Sequence, residues 1–287
     1  MRGKHSRKHK ILDHPVLSLF LLPVVALAII TCFSFLSGFL IRYLAVGELY
    51  AYVAEILISF LVLLIFRIWI KPFKGMLGVK HLLHGLIMLL PVTAVVLINL
   101  YQPMQEQKLT IQTVLMGFAP GVLEEVVFRG IPLSNYMRCM PQKNEIRKGV
   151  WISGIVFGLM HATNVFLGAN GFATAMQVLY ATGFGILFGA VFIRTGTLLP
   201  CIIAHSLVDI TAFTLVDLVE NGGMLTEASV GSIVTVIIGA VYLAFGLWLL
   251  RDEKLQDTVQ IWQGLFPDQI HEEIESTELL DTIGNAC

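Results

Sequence analysis

The chain has 287 residues, is 56% hydrophobic and only 14% charged, and carries a formal net charge of -1. A soluble domain is nearer 45–50% apolar and about 25% charged, so this balance excludes an ordinary soluble globule. Nucleic-acid binding gains no support either, because the basic residues flank apolar segments and no aromatics are interleaved with them.

The N-terminus, MRGKHSRKHK, is basic and leads into an apolar stretch over residues 16–41. That stretch is too long for a cleaved signal, and no small-residue cleavage site follows it. It reads as a first, uncleaved span. Further stretches of about 20 apolar residues, enough to cross a hydrocarbon core at 1.5 Å per residue, fall at 50–70, 82–101, 109–129, 149–168, 172–193, 198–216 and 230–250. The expected fold is all-α, a polytopic transmembrane helix bundle of about eight spans. Pro120 and a glutamate pair interrupt the fourth span.

Charge orients the bundle. Basic residues gather in the tail (Arg2, Lys4, Arg7, Lys8, Lys10) and after span two (Arg67, Lys71, Lys74, Lys80). They recur after span four (Arg138, Lys143, Arg147, Lys148), after span six (Arg194) and after span eight (Arg251, Lys254). The opposite connections hold Arg42 and Lys108 with Glu48, Asp217 and Glu220. By the positive-inside rule both termini are expected in the cytosol. The expected division is a basic tail (1–15), three spans (16–108), a core of four spans (109–216), a loop and last span (217–251) and an acidic cytosolic tail (252–287). That tail, with Glu272, Glu273, Glu275, Glu278 and Asp281, is expected either to form a short amphipathic helix near 259–274 or to stay disordered.

Two glycine pairs, Gly154/Gly158 and Gly185/Gly189, make small-xxx-small faces on spans five and six, which let helices pack closely. The four cysteines, Cys32, Cys139, Cys201 and Cys287, show no metal or disulfide spacing and read as small apolar residues.

The chemistry sits in three short runs: EEVVFR (Glu124 to Arg129), FGLMH (Phe157 to His161) and HSLVD (His205 to Asp209). Each lies in or at the end of an apolar span, where an ionisable side chain costs roughly 2.5–3.5 kcal/mol by insertion scales. Neighbouring helix positions diverge by about 100°, so Glu124 and Glu125 point apart. Glu125 shares a face with Arg129 and can pair with it, in a supporting or a purely structural role. Glu124 is left without an evident local partner and suits a general base. His161 is the one ionisable group of span five, and Phe157 packs one turn before it as a shield. Asp209, one turn after His205, can hold that imidazole in one orientation. From the cytosolic ends, Glu124 and His205 lie about 8–12 Å deep and His161 about 15–18 Å, so a shared pocket open to cytosolic water is expected.

Together the motifs EExxxR, FxxxH and HxxxN/D resemble the CPBP family of type II CAAX prenyl endopeptidases, Abi proteins and bacteriocin-processing, immunity or lysostaphin-resistance-protein-A-like proteins. The resemblance covers roughly residues 109–216. It implies an intramembrane peptidase acting on a membrane-associated, lipidated or bacteriocin-like peptide. Glu124 would then be the essential glutamate and His161 would help activate water. His205 and Asp209 would bind a metal or stabilise the oxyanion, and Glu125 with Arg129 would support the first motif. The prenyl endopeptidases typically have Asn at the last position; Asp209, if ionised, cannot donate to an oxyanion and would instead orient His205 or ligate a cation.

Two mechanisms stay open. In one, His161, His205 and Glu124 hold Zn2+ with a free position for water, although no HExxH is present. In the other, the glutamate works without metal. The rival classes are a non-catalytic membrane scaffold or immunity protein and a proton-coupled transporter. The expected setting is the plasma membrane of a prokaryote, with membrane lipid and a peptide or lipidated protein as partners and no nucleic acid.

Overall fold

The structure, a computed structural model, describes residues 14–44, 47, 49–70, 76–105, 109–140, 142–222 and 228–265. These are helical, and no strand occurs among them. In chain order the elements are α1 (Pro15–Tyr43), α2 (Leu49–Ile70), α3 (Leu82–Met88), α4 (Leu90–Gln105), α5 (Ile111–Glu125), a π-helical turn (Val126–Gly130) and α6 (Pro132–Cys139). Then come α7 (Lys143–Met160), a 3₁₀ segment (His161–Leu167), α8 (Gly171–Thr195), α9 (Leu199–Gly222), α10 (Ala228–Leu249) and α11 (Asp252–Leu265). The chain is an all-α polytopic membrane bundle.

Five helical stretches are long and apolar enough to cross a membrane: Pro15–Tyr43, Leu49–Phe66, Ile111–Cys139, Lys143–Phe166 and Gly171–Thr195. Two bent pairs raise the number to seven if each is one span, and Leu199–Phe213 is a shorter apolar helix. The eight expected spans thus all correspond to helices, but not all as straight crossings. The expected span over 82–101 bends by 72° at Leu89. Pro91 explains the break, since its ring removes a backbone donor and is tolerated only in a first helical turn. The expected fourth span does not stop at Arg129; it continues through the π turn to Cys139, with Ile131 N donating to Val126 O at 3.0 Å.

The bundle closes on small residues. The Gly154 and Gly185 backbones meet, so that a Cβ on Gly185 would lie 2.9 Å from Gly154 Cα, and Gly158 abuts Val178 and Thr182. Both glycines of the α7 face therefore meet α8 closely, whereas Gly189 faces the Val150 side chain. A second close pair was not anticipated: on α5, Gly117 lies against the Ile210 backbone and Gly121 against Ser206 on α9. This brings the glutamates of α5 beside the histidine of α9. A Cβ at Gly121 would sit 2.7 Å from Ser206 N, and backbone cannot yield as a side-chain tip can. Gly121→Val is expected to cost about 1–3 kcal/mol or more, seen as a lower midpoint of thermal unfolding in detergent.

Beyond Leu250 the chain turns by 71° into α11, an amphipathic helix that starts at Asp252, one to two turns before the expected one near 259. Its fully buried Trp262 donates from Nε1 to Ile193 O at 2.6 Å. Arg194 Nη1 donates to Leu249 O and Lys254 O, both at 3.1 Å, and Arg147 pairs with Asp252 at 2.6 Å. The acidic residues expected at 272–281 fall outside the described residues.

Candidate active site

Features of α5 and α8 frame the site. α5 starts from a reciprocal cap: Thr110 Oγ1 accepts from Thr113 N at 3.2 Å, and Thr113 Oγ1 accepts from Thr110 N at 2.8 Å. At its far end the helix widens into the π turn directly after Glu125. Such single-turn bulges recur at functional sites because they reset which side chains share a face. α8 is capped by Asn170, whose side-chain oxygen accepts from Phe172 N and Ala173 N, and it ends at Gly196 in the left-handed region (φ 65°).

His205 is the hub. Its Nδ1 lies 2.8 Å from Glu125 Oε1, across 80 residues of chain. The same oxygen lies 3.1 Å from Arg129 Nη1, and both members of that ion pair are fully buried. Arg129 meets Glu125 by charge rather than by an aligned hydrogen bond, since its guanidinium nitrogens and Glu125 Oε2 have no hydrogen-bond partner among the described residues. Its guanidinium instead stacks 4.0 Å over the Phe157 ring. A carboxylate paired with arginine accepts only, so His205 Nδ1 carries the proton and donates. Nε2 is left facing Glu124 Oε2 at 3.6 Å and Asp209 Oδ2 at 3.7 Å.

The sequence assigned the orientation of His205 to Asp209. In the structure Glu125 makes that bond, and Asp209 stands beside the other nitrogen. Glu125, expected to serve Arg129, therefore links the first motif to the third.

Phe157 lies between the two imidazoles, edge-on to His161 (centroids 4.9 Å) and to His205 (6.0 Å). Phe184 packs against His205 at 4.7 Å. His161 donates from Nδ1 to Phe157 O at 3.0 Å; a carbonyl can only accept, so the neutral ring leaves Nε2 as an acceptor. Glu124, His161, His205 and Asp209 all line one cavity of about 480 Å³. All four residues expected to be catalytic thus come together; Glu125 and Arg129 are buried behind them, and Phe157 shares the cavity wall.

Other polar groups on the cavity wall escaped the sequence reading. Asn164 Nδ2 donates to Gln177 Oε1 at 2.9 Å, and Asn99 and Tyr180 lie nearby on the wall. Amides in apolar spans are themselves a signal, but they form no motif of fixed spacing. Glu55 on α2 lies within electrostatic range of Glu124.

The arrangement of EExxxR, FxxxH and HxxxD around one chamber can be set beside known proteins. Residues 106–211 match the family model "Type II CAAX prenyl endopeptidase Rce1-like". By that match the segment resembles Rce1-like endopeptidases. Over 158 residues the chain is also 28% identical to CAAX prenyl protease 2 of Saccharomyces cerevisiae, a match covering 51% of this chain and 50% of that protein. The chain therefore spans about half the length of the curated relative it matches. No solved structure matches it. All three motifs fall inside the Rce1-like segment, and so do α5, α7 and α8.

Among the described residues no group of three or more His, Cys, Asp or Glu is placed to hold a metal ion. His205 commits Nδ1 to Glu125 and His161 commits Nδ1 to Phe157 O, an arrangement that metal-bound histidines also use.

The cavity draws its wall from α4, α5, α7, α8, α9 and α10. Its outer wall is built by Asn99, Asn164, Gln177, Phe213 and Thr235, on the parts of their elements nearest the connections 106–110, 168–170 and 223–227. Toward the basic connections the site is sealed: residues 125–137 and 183–193 are buried throughout. α9 begins from a buried connection. Thr197 and Leu198, which lead into it, are buried, with Thr197 Oγ1 donating to Gly78 O at 2.7 Å and Leu198 N to Met76 O at 2.7 Å.

Proposed function

We propose that this chain is an intramembrane endopeptidase that hydrolyses a peptide bond of a membrane-associated substrate, prenylated or bacteriocin-like, and that the segment 109–216 carries the chemistry. The observation that supports this most is the placement of the Glu124 carboxylate 3.6 Å from His205 Nε2 in a chamber shared with His161 and Asp209. The match to an Rce1-like family model supports it independently.

Peptide hydrolysis needs an activated water, charge stabilisation and a proton for the leaving amine. Glu124 takes a proton from water as the water oxygen bonds to the scissile carbonyl carbon. His161 holds that water through its free Nε2. The negative charge then sits on the former carbonyl oxygen, where His205, as an imidazolium anchored through Nδ1 by Glu125, donates from Nε2. On collapse the C–N bond breaks and Glu124 passes its proton to the amine. Asp209 lies 3.7 Å from the same Nε2 and places a carboxyl group beside the imidazole. No step requires a metal.

The test is cleavage of a lipidated peptide library by the purified protein in liposomes, with products identified by mass spectrometry. Cleavage that survives metal chelators is the expected result. Loss on chelation with recovery on added zinc would overturn the metal-free mechanism, and solute transport without any cleavage would overturn the peptidase itself. Asp209→Asn is expected to stay within about tenfold of the wild-type rate, which is about 1.4 kcal/mol of barrier, because an amide fills the same space and can donate to the oxyanion.

A further inference from the structure

We infer that the chamber receives its substrate from the non-cytosolic side of the membrane, so that its substrate is an exported or translocated peptide rather than one made available in the cytosol. The inference rests on the reading of this cavity as the substrate chamber, and three independent observations carry it.

The first is direction. The cavity wall away from the Glu125–His205 bond is formed by Asn99 on α4, Asn164 on the 3₁₀ segment, Gln177 on α8, Phe213 on α9 and Thr235 on α10. These elements run alternately up and down, yet every one of these residues lies toward the same end of the bundle. At that end Ala162, Thr163, Val165 and Phe166 are exposed.

The second is closure. At the opposite end, residues 125–137 leave no surface, and Thr195, Thr197 and Leu198 are buried beneath the chain at Met76–Gly78. Trp262 of α11 plugs the same end by its bond to Ile193 O. A peptide reaching Glu124 from there would have to displace an ion pair, the bonds from Thr197 Oγ1 to Met76 O and Gly78 O, and a packed helix.

The third is charge. The sealed end carries Lys80, Arg138, Arg147, Lys148, Arg194 and Arg251. The sequences that connect the helices at the open end hold Arg42 and Lys108 against Glu48, Glu106, Asp217, Glu220 and Glu227. Short loops rich in lysine and arginine stay in the cytosol. The sealed end is thus cytosolic and the open end is not.

The chemistry of the wall matches an extended peptide with an apolar anchor. The amides of Asn99, Asn164 and Gln177 both donate and accept, as backbone recognition requires. Phe213, Val95 and Ile238 offer apolar surface for a large side chain or a lipid tail.

The test uses the full-length protein in sealed vesicles of both orientations. Thr163→Cys marks the open end and Asn144→Cys the sealed end; both positions are exposed. A membrane-impermeant maleimide is added, and the labelled site is assigned by peptide mass. Thr163→Cys should react only in right-side-out vesicles and Asn144→Cys only in inverted ones; the reverse pattern would overturn the inference. An impermeant substrate peptide is then supplied outside each vesicle type. Cleavage by right-side-out vesicles alone is the expected result. Cleavage by inverted vesicles alone would sink the inference and leave the peptidase intact. No cleavage in either, even after permeabilisation, with the labelling as expected, would sink the peptidase reading and leave the direction of access standing.

Discussion

Replacing Glu124 with Gln is expected to cut peptide cleavage by about 10²–10⁴-fold, the usual worth of a positioned acid–base group, while the bundle folds normally. The amide keeps the shape of the carboxylate and fills the same part of the cavity wall. It cannot take a proton from water. Binding should be little changed, because the apolar walls and the amides at Asn164 and Gln177 are untouched. The loss should therefore appear in kcat rather than KM. Glu125 cannot substitute, since its Oε1 is already shared by Arg129 and His205 and is fully buried. Steady-state kinetics on the reconstituted variant, with size-exclusion behaviour as the folding check, decide the matter. A variant that cleaves at the wild-type rate would remove Glu124 from the mechanism.

The largest effect on stability is expected at Arg129. Arg129→Met removes the cation paired with the buried Glu125 carboxylate, and breaking a buried ion pair from one side typically costs about 3–5 kcal/mol. It also removes the guanidinium that stacks on Phe157 at 4.0 Å. The hydrogen bond from His205 would then hold Glu125 alone. Thermal unfolding in detergent should show a clear drop in midpoint. The double variant Glu125→Gln/Arg129→Met separates charge from packing: removing both charges should restore much of the stability, because a neutral pair of similar volume needs no compensation. It should not restore cleavage, because the carboxylate that His205 Nδ1 meets at 2.8 Å is gone. Recovery of full activity in the double variant would show that the pair serves folding alone.

Much of the bundle was legible because membranes impose a simple local rule. About 20 apolar residues form a helix that satisfies its own backbone, and basic residues mark the connections on one side. The Gly154/Gly158 face was readable for the same reason, since residues four apart share a side. So were the pairs Glu125/Arg129, Phe157/His161 and His205/Asp209, each of which lies within about one turn of helix.

What escaped were contacts between residues distant in sequence. The bond from His205 to Glu125 depends on how α5 and α9 approach, and that approach is set by Gly117 and Gly121 meeting Ile210 and Ser206. Pro91 announced a break that a count of apolar residues overrode. α11 gave too weak a signal for its bounds, because its place is fixed by Trp262 reaching the end of α8.

Composition and periodicity alone determined that this protein is a helical membrane bundle and which six ionisable residues and one aromatic stand out as candidates for its chemistry, because desolvation makes such groups conspicuous in an apolar span. Only the packed tertiary structure decided which carboxylate grips His205 and which helices wall the chamber. Those depend on interhelical distances and on the burial of the chain leading into α9, and nothing within a single helix encodes them.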